Sequence, residues 1–487
     1  MKRKISKIIA SILFVIVFAL LTSIRTISAE LTIIEPEGID YDFIGINAVN
    51  NKGEVAGTVT KLIPGGYEPD EVHAFTWSKD KGFKLLNMGT DEKIWTWAND
   101  INENGDIVGD MAIISDYGYY ESYSAFLYTE DSGMISLKPL LGEGFSGAGG
   151  INNQGQITGS RSTESGSSTA FLLEDGMIRD LGSLGSGHYS YSGGAAINNL
   201  GHIVGDSMTD DFEGHAFKWT KDNGMRDLGT LPGRTESWAI GINDKNEVVG
   251  NSWRYECAED ECYAVDHYAF FWSEEKGMMN IGTLPGMNYS QATAINNKGQ
   301  LVGICEKQDP GGFPLDSAAF IYSEDSGMID FGEMIGEPYI LWVTDINDHG
   351  QVTGMGYSPE NFIPFAFLWT PPLKEVTIDI KPGGEPNAIN KNGKGVISVA
   401  VLGGPDFNVK DIDFASLRLE ELLKIKAVKN DILLINYEDV NEDEYQDLVA
   451  QFENADIFSE DDTIATLTGN LNDGTSIIGT DSIRIIP

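Results

Sequence analysis

Ile197-Asn198-Asn199-Leu200-Gly201-His202-Ile203-Val204-Gly205 is one copy of a nine-residue phrase that returns six more times. The other copies lie at 49–57, 101–109, 151–159, 242–250, 295–303 and 346–354. Their leading asparagines are Asn50, Asn102, Asn152, Asn198, Asn243, Asn296 and Asn347, so the steps are 52, 50, 46, 45, 53 and 51 residues. A near-constant period of this size marks a repeat architecture.

A second phrase follows each copy: His73-Ala74-Phe75-Thr76-Trp77, Ser124-Ala125-Phe126-Leu127-Tyr128, then 169–173, His215-Ala216-Phe217-Lys218-Trp219, 268–272, 318–322 and 365–369. Short aromatic runs with alternation suit strands. A third phrase, Gly-Met or Gly-Phe, opens at Gly82, Gly133, Gly176, Gly224, Gly277 and Gly327. One unit thus reads as four short strands. Asn-x-x-Gly is the turn between the first two, with Gly53, Gly105, Gly155, Gly201, Gly299 and Gly350 at a position that needs positive φ. Asn246 stands there in the fifth copy and is the next-best residue for it.

Four strands in 45–53 residues, repeated seven times, predict an all-β fold: a seven-bladed β-propeller. The third phrase occurs six times, not seven. Leu31-Thr32-Ile33-Ile34-Glu35-Pro36 precedes the first copy and sits where the missing outer strand belongs. It is expected to complete the last blade and close the propeller.

The expected domains are a signal peptide at 1–29, the propeller at 30–370, a linker at 371–374 and a β-sandwich-like domain at 375–487. Lys2, Arg3, Lys4 and Lys7 precede the apolar run 8–21, and Ile27-Ser28-Ala29 fits a cleavage site. The apolar core is short for a membrane span, so no integral anchor is expected after cleavage. The protein is read as secreted. Pro371-Pro372 marks the linker, and Val376-Thr377-Ile378-Asp379-Ile380, 396–402, 432–435 and 463–467 read as strands of the last domain.

The Ile-Asn-x-x-Gly and His-Ala-Phe phrases resemble the HAF family of extracellular repeats, over about residues 43–369. That resemblance implies export and a propeller, with no settled activity. Val376-Thr377-Ile378-Asp379-Ile380-Lys381-Pro382-Gly383, with Gly479-Thr480-Asp481-Ser482-Ile483, resembles a domain appended to secreted bacterial and archaeal proteins.

The formal net charge is −41. The leader holds five basic residues and no acid, so the chain without it is more acidic still. Such a chain repels phosphate backbones, and nucleic acid is not expected as a partner. Asp439-Val440-Asn441-Glu442-Asp443-Glu444-Tyr445-Gln446-Asp447 is the clearest metal signal. Side-chain oxygens of Asp439, Asn441, Asp443 and Asp447, with the Tyr445 carbonyl, match a loop that wraps Ca²⁺ in hard oxygens. Glu444 replaces the usual Gly and Ala450 the usual bidentate Glu, so it is not an EF-hand; a solvated acidic loop is the plain alternative.

The other two connections of each unit are long and irregular, and binding groups sit preferentially on such loops. Trp97, Trp238 and Trp342 each stand five residues before a repeat Asn, at the start of the innermost strand. With Tyr191 and Tyr289 they form the expected platform for an extracellular glycan or protein; packing between blades is the structural alternative. Trp95, Tyr119, Tyr120, Tyr189, Trp253, Tyr255 and Tyr339 belong to the same face. Cys257 and Cys262 lie in one long loop and are expected to form a disulfide; Cys305, in the next unit's equivalent loop, is the alternative partner across units, and one thiol is left over either way. No catalytic residues are assigned. The reading is a secreted binding protein with a calcium-stabilised C-terminal domain; the alternative is an extracellular polysaccharide hydrolase or lyase.

Overall fold

The computed structural model describes residues 26–486, apart from 28, 37, 67, 88–92, 116–118, 164–165, 188–189, 259–260, 310–312, 337–339, 358–363, 385, 391–394, 421–422, 429–431, 454–457, 460–461 and 473–474. At 26–27, 257–258, 261–263, 340, 428 and 432 the backbone alone is described. Most of the leader expected at 1–29, with Tyr189 and Tyr339, falls outside the described residues. No helix among the described residues is long and apolar enough to cross a membrane. The chain divides into two units, Leu31–Thr370 and a second made of Met1–Glu30 with Pro371–Pro487.

The larger unit contains seven four-stranded sheets, one per repeat. Sheet 1 is Phe43–Val49, Val55–Leu62, Pro69–Ser78 and Gly82–Leu85. Sheets 2 to 6 begin at Ile94–Ile101, Ser146–Ile151, Ser192–Ile197, Glu236–Ile242 and Tyr289–Ile295, and each runs through four consecutive strands. Sheet 7 is Ile340–Ile346, Val352–Tyr357 and Pro364–Thr370, and its outer strand is Glu30–Ile34 from the other end of the chain.

Three repeated devices explain why the phrases recur. The first is a glycine under an aromatic ring. Gly57, Gly109, Gly159, Gly205, Gly250, Gly303 and Gly354 pair directly with Phe75, Phe126, Phe171, Phe217, Phe270, Phe320 and Phe367. Every one of these phenylalanines is fully buried. A Cβ at Gly250 would lie 2.0 Å from Trp238 O and 2.8 Å from Phe270 Cζ, so no larger residue fits. The ring covers the strand where no side chain can.

The second device is the turn. Gly53, Gly105, Gly155, Gly201, Gly299 and Gly350 have φ between +71° and +82°, and Asn246 has φ +66°. The third is the leading asparagine. In Asn152 the side-chain oxygen accepts from Gln154 N at 3.1 Å and Gln156 N at 3.0 Å, and the amide donates to Gln156 Oε1 at 2.6 Å and to Asn198 O of the next sheet at 3.0 Å. Corresponding amide-to-carbonyl bonds link Asn50 to Asn102, Asn102 to Asn152, Asn198 to Asn243, Asn243 to Asn296 and Asn296 to Asn347. The series returns to its start, since Asn347 Nδ2 donates to Asn50 O at 2.9 Å.

Further up the same strands a hydroxyl joins neighbouring sheets. The backbone N–H of Ala74, Ala125, Ala170, Ala216 and Ala269, from the second phrase, donates to Thr96, Ser146, Ser192, Ser237 and Ser290. These hydroxyl residues stand six positions before a repeat Asn.

The smaller unit has a six-stranded and a four-stranded sheet over one core that includes Ile380, Val399, Leu417, Leu448 and Phe452. Two boundaries differ from expectation. Leu373–Glu375 is a strand, parallel to Ser476–Ser482, so the stretch 371–374 is not merely a linker. Thr26 and Ile27, inside the expected leader, pair with Lys374 and Leu373.

Candidate functional site

The first strand of each sheet has a turn end and a loop end, and the two differ in chemistry. At the turn end, residues from all seven sheets line a cavity of about 600 Å³. Its carboxylates are Asp100, Glu103, Asp244, Asp345 and Asp348, and among the described residues no Lys, Arg or His lines it. Asp345 Oδ2 accepts from Val49 N and Asp100 Oδ2 from Ile151 N, both at 2.8 Å, so each acid ties its sheet to the next. Burial pushes the Asp100 carboxyl up to about 6 and that of Asp345 up to about 7, the latter also raised by Asp100. The other sheets carry Ala48, Gly150, Ala196, Gly241 and Ala294 at this position. Sequence reading missed both acids; aligning the copies two residues before the Asn exposes them.

The loop end is aromatic. Seven residues before the repeat Asn stand Phe43, Trp95, Phe145, Tyr191, Glu236, Tyr289 and Ile340. Five before it stand Gly45, Trp97, Gly147, Gly193, Trp238, Gln291 and Trp342. Positions two apart on a strand share a face, so these rows form one rim. Large apolar groups on it meet solvent: Phe145 is 67 % exposed, Phe43 47 % and Trp238 44 %.

The five expected platform residues separate here. Trp97 stacks on Tyr123 with centroids 6.2 Å apart, and Trp342 meets Tyr357 edge-on at 5.3 Å. Tyr289 ends a stack in which His267 lies 4.4 Å from it and 5.3 Å from Trp253. Burial and Glu306 push its hydroxyl up to about 12. These three are largely spent on packing. Trp238 is the most open of the five, and Tyr191 carries the polar chemistry.

Tyr191 hydrogen-bonds Asp206, and burial followed by that carboxylate pushes the phenol up to about 12; Glu236 and Tyr255 also act on it. Burial raises the Asp206 carboxyl. Glu236 is raised by burial first, with Glu213 adding to it, while its Oε2 accepts from Gly214 N at 2.8 Å. A methyl at Gly214 would stand 3.0 Å from Glu236 Oε2 and 3.1 Å from the Tyr191 hydroxyl, so both polar tips lie over this glycine. The equivalents of Trp238 in sheets 1 and 3, Gly45 and Gly147, face the preceding sheet at Met355 Sδ (3.3 Å) and Asp110 Oδ1 (2.7 Å). The counterpart of those two residues in sheet 4 is Asp206. Tyr191, Asp206 and Glu236 therefore meet at the junction between sheets 4 and 5, and Trp238 stands two residues along the strand from Glu236, on the same face. Tyr255, 51 % exposed, borders it. Asp206, Glu236 and Gly214 were not among the expected residues.

A related pair occurs in sheet 2. Tyr123 hydrogen-bonds Asp110, which also accepts from Asn99 Nδ2 at 3.1 Å. Exposed Tyr120 lies 6.3 Å from Tyr123 and 6.0 Å from Trp95.

The cysteines are on strands, not in loops. Cys257 and Cys262 are directly opposed in the ladder of Val248–Ala258 with Glu261–Ser273. Cys305, expected in a loop, is fully buried in Leu301–Gln308 as a free thiol, accepting from Leu284 N at 3.4 Å. Burial pushes it up to about 11.

In the smaller unit, both oxygens of buried Asp447 accept backbone bonds, from Gly403 N at 2.7 Å and Val440 N at 2.8 Å. Asp439 accepts from Asp443 N and Glu444 N, and Asp443 accepts from Asn441 Nδ2 and Tyr445 N. The loop turns back through Glu442 at φ +59° and Glu444 at φ +74°. Burial raises Asp447, with Asp443 and Asp439 adding to it. No group of three or more His, Cys, Asp or Glu among the described residues is drawn together as a metal site.

Comparison with known proteins locates the chain only broadly. Residues 186–335 match a family described as "Protein of unknown function (DUF3466)". No curated protein matches. Similar solved structures include the β-propeller domain of the Trilobed protease from Pyrococcus furiosus, at 11% identity and TM-score 0.41, covering 68% of this chain and 94% of that one. Pyrococcus horikoshii acylaminoacyl peptidase gives 11% and 0.42, with coverage of 76% and 60%. The six-bladed fucose-recognising lectin of Aleuria aurantia gives 12% and 0.31, with coverage of 60% and 96%. The chain is thus an all-β protein of four-stranded sheets with β-propeller neighbours, and similarity at this level carries nothing about its ligand.

Proposed function

We propose that residues 31–370 form one closed seven-bladed propeller in an exported protein, and that its loop-end rim binds an extracellular glycan or protein. The observation that carries this reading is the junction of Tyr191, Asp206, Glu236 and solvent-open Trp238, where polar groups converge beside an exposed aromatic. Binding sites combine apolar surface with a few placed polar groups. The test is a glycan and peptide array probed with the full chain and with Trp238→Ala. Loss of the hits in the variant supports the rim; unchanged hits refute it.

Two features of this proposal lie away from the rim. The loop at 439–447 would hold calcium through Asp439, Asn441, Asp443, the Tyr445 carbonyl and Asp447. Cys257 and Cys262 form a disulfide; opposed ladder residues have the Cα spacing that a bridge requires. A second reading, polysaccharide hydrolase or lyase, is favoured by one observation: three titratable groups, Tyr191, Asp206 and Glu236, meet at the same junction. Release of new reducing ends or unsaturated ends from acidic and neutral polysaccharides decides it.

A further inference from the structure

We infer that the junction between sheets 4 and 5 recognises an amino sugar, taking its protonated amine at Glu236 and its ring face on Trp238. The inference rests on the rim being a binding face and names the ligand class.

It starts from the row seven residues before the repeat Asn. Six of its members, Phe43, Trp95, Phe145, Tyr191, Tyr289 and Ile340, are apolar or aromatic, and the seventh is Glu236. A carboxylate in an aromatic rim loses water, and that cost is recovered when a cation joins it. Among the described residues no fixed cation pairs with it. The charges acting on Glu236 are Glu213, of like sign, and His215. His215 is already held by Asp227, with Nδ1 2.9 Å from Oδ2. Arg254 pairs with Asp266 at 2.7 Å, and Arg234 lies over the Tyr268 ring while donating to Asp266 O. Both nearby guanidiniums are committed elsewhere.

The surroundings favour a positive ligand further. Asp206 and Glu213 share the sign of Glu236, and the chain as a whole carries −41. The partly exposed rings of Trp238 and Tyr255 present faces that attract cations. A lysine side chain supplies the charge alone. A hexosamine supplies an ammonium for Glu236, neighbouring hydroxyl donors for Asp206, and a C–H face for Trp238. Among the described residues the hydrogen bond to Glu236 ends on Oε2, so Glu236 and the Asp206 carboxylate together accommodate more than one further donor, which favours the sugar over the simple amine.

The experiment is calorimetric titration of the full chain with glucosamine hexamer, N-acetylglucosamine hexamer and a lysine decapeptide. It is repeated with Glu236→Gln and Trp238→Ala, and thermal unfolding checks that each variant folds. Glutamine keeps an acceptor for Gly214 N. The expected result is about tenfold tighter binding of the free-amine hexamer than of the acetylated one, in keeping with one charge-assisted hydrogen bond. Glu236→Gln should erase that preference, and Trp238→Ala should weaken both hexamers. Equal affinity for the two hexamers, or a preference untouched by Glu236→Gln, overturns the inference. Binding of the peptide without the sugar overturns the ligand class and leaves the rim as a binding face. Failure of all three, with a blank array, removes the rim reading as well.

Discussion

The two ends of the inner strands are built from the same seven repeats and have opposite fates. At the turn end every copy spends its polar groups on its neighbours. Asn152 makes four hydrogen bonds, and the backbone N–H of each next residue donates to a side-chain oxygen of the following sheet, as Asn199 N does to Asp244 Oδ1 at 2.8 Å. At the loop end the copies diverge: the same rows hold Gly, Gln, Glu, Ile, Phe, Tyr or Trp, and only the first and third copies share the pair Phe and Gly. The contrast teaches that repetition here marks scaffold. Function is to be sought where equivalent positions differ.

The contrast can be broken from the scaffold side first. Phe270→Ala removes a fully buried ring from above Gly250 and should cost about 3–5 kcal/mol, read by denaturant unfolding. Asn198→Ala deletes the donor to Asn243 O and the acceptor for Leu200 N and His202 N. It should cost about 2–3 kcal/mol, since buried partners are left unpaired.

The buried acids sharpen the comparison through pH. Asp345 is raised to about 7 and Asp100 to about 6 in the folded state, above the usual carboxylate range. A raised acid favours folding most when protonated, so its contribution is present below the unfolded value near 4 and lost as pH rises through the folded values. The stability of Asp345→Asn relative to the parent should therefore be more favourable at pH 8 than at pH 5, by about 1–3 kcal/mol. Thermal unfolding at the two pH values measures it; no pH-dependent difference would remove the buried charge from the account. The smallest stability effect is expected at the rim. Trp238→Ala should shift unfolding by about 0.5 kcal/mol or less while abolishing array binding, because its ring is nearly half exposed.

Much of the scaffold was legible because it depends on backbone geometry. Gly53 needs positive φ and Gly57 needs the absence of a Cβ, and such demands allow almost no other residue. The outer strand of sheet 7 was legible by subtraction, as the missing third phrase. The junction at Gly214 was not. Tyr191 and Trp238 stood out as aromatics, but Asp206 and Glu236 are two among 74 acids and become particular only when folding places them against Tyr191. Cys305 was misread because the strand Leu301–Gln308 runs past its repeat phrase, which length variation between copies conceals. The acids Asp100 and Asp345 were not legible, because the other five copies carry Ala or Gly two residues before the Asn.

Sheet 7 borrows its outer strand from Glu30–Ile34, and Asn347 reaches back across 297 residues to Asn50. During synthesis, the first six sheets have all their strands before Pro364–Thr370 leaves the ribosome, while Glu30–Ile34 still lacks its partner strand. A product that stops short of Pro364 leaves the Glu30–Ile34 strand without its partner, an edge open to pairing with another chain.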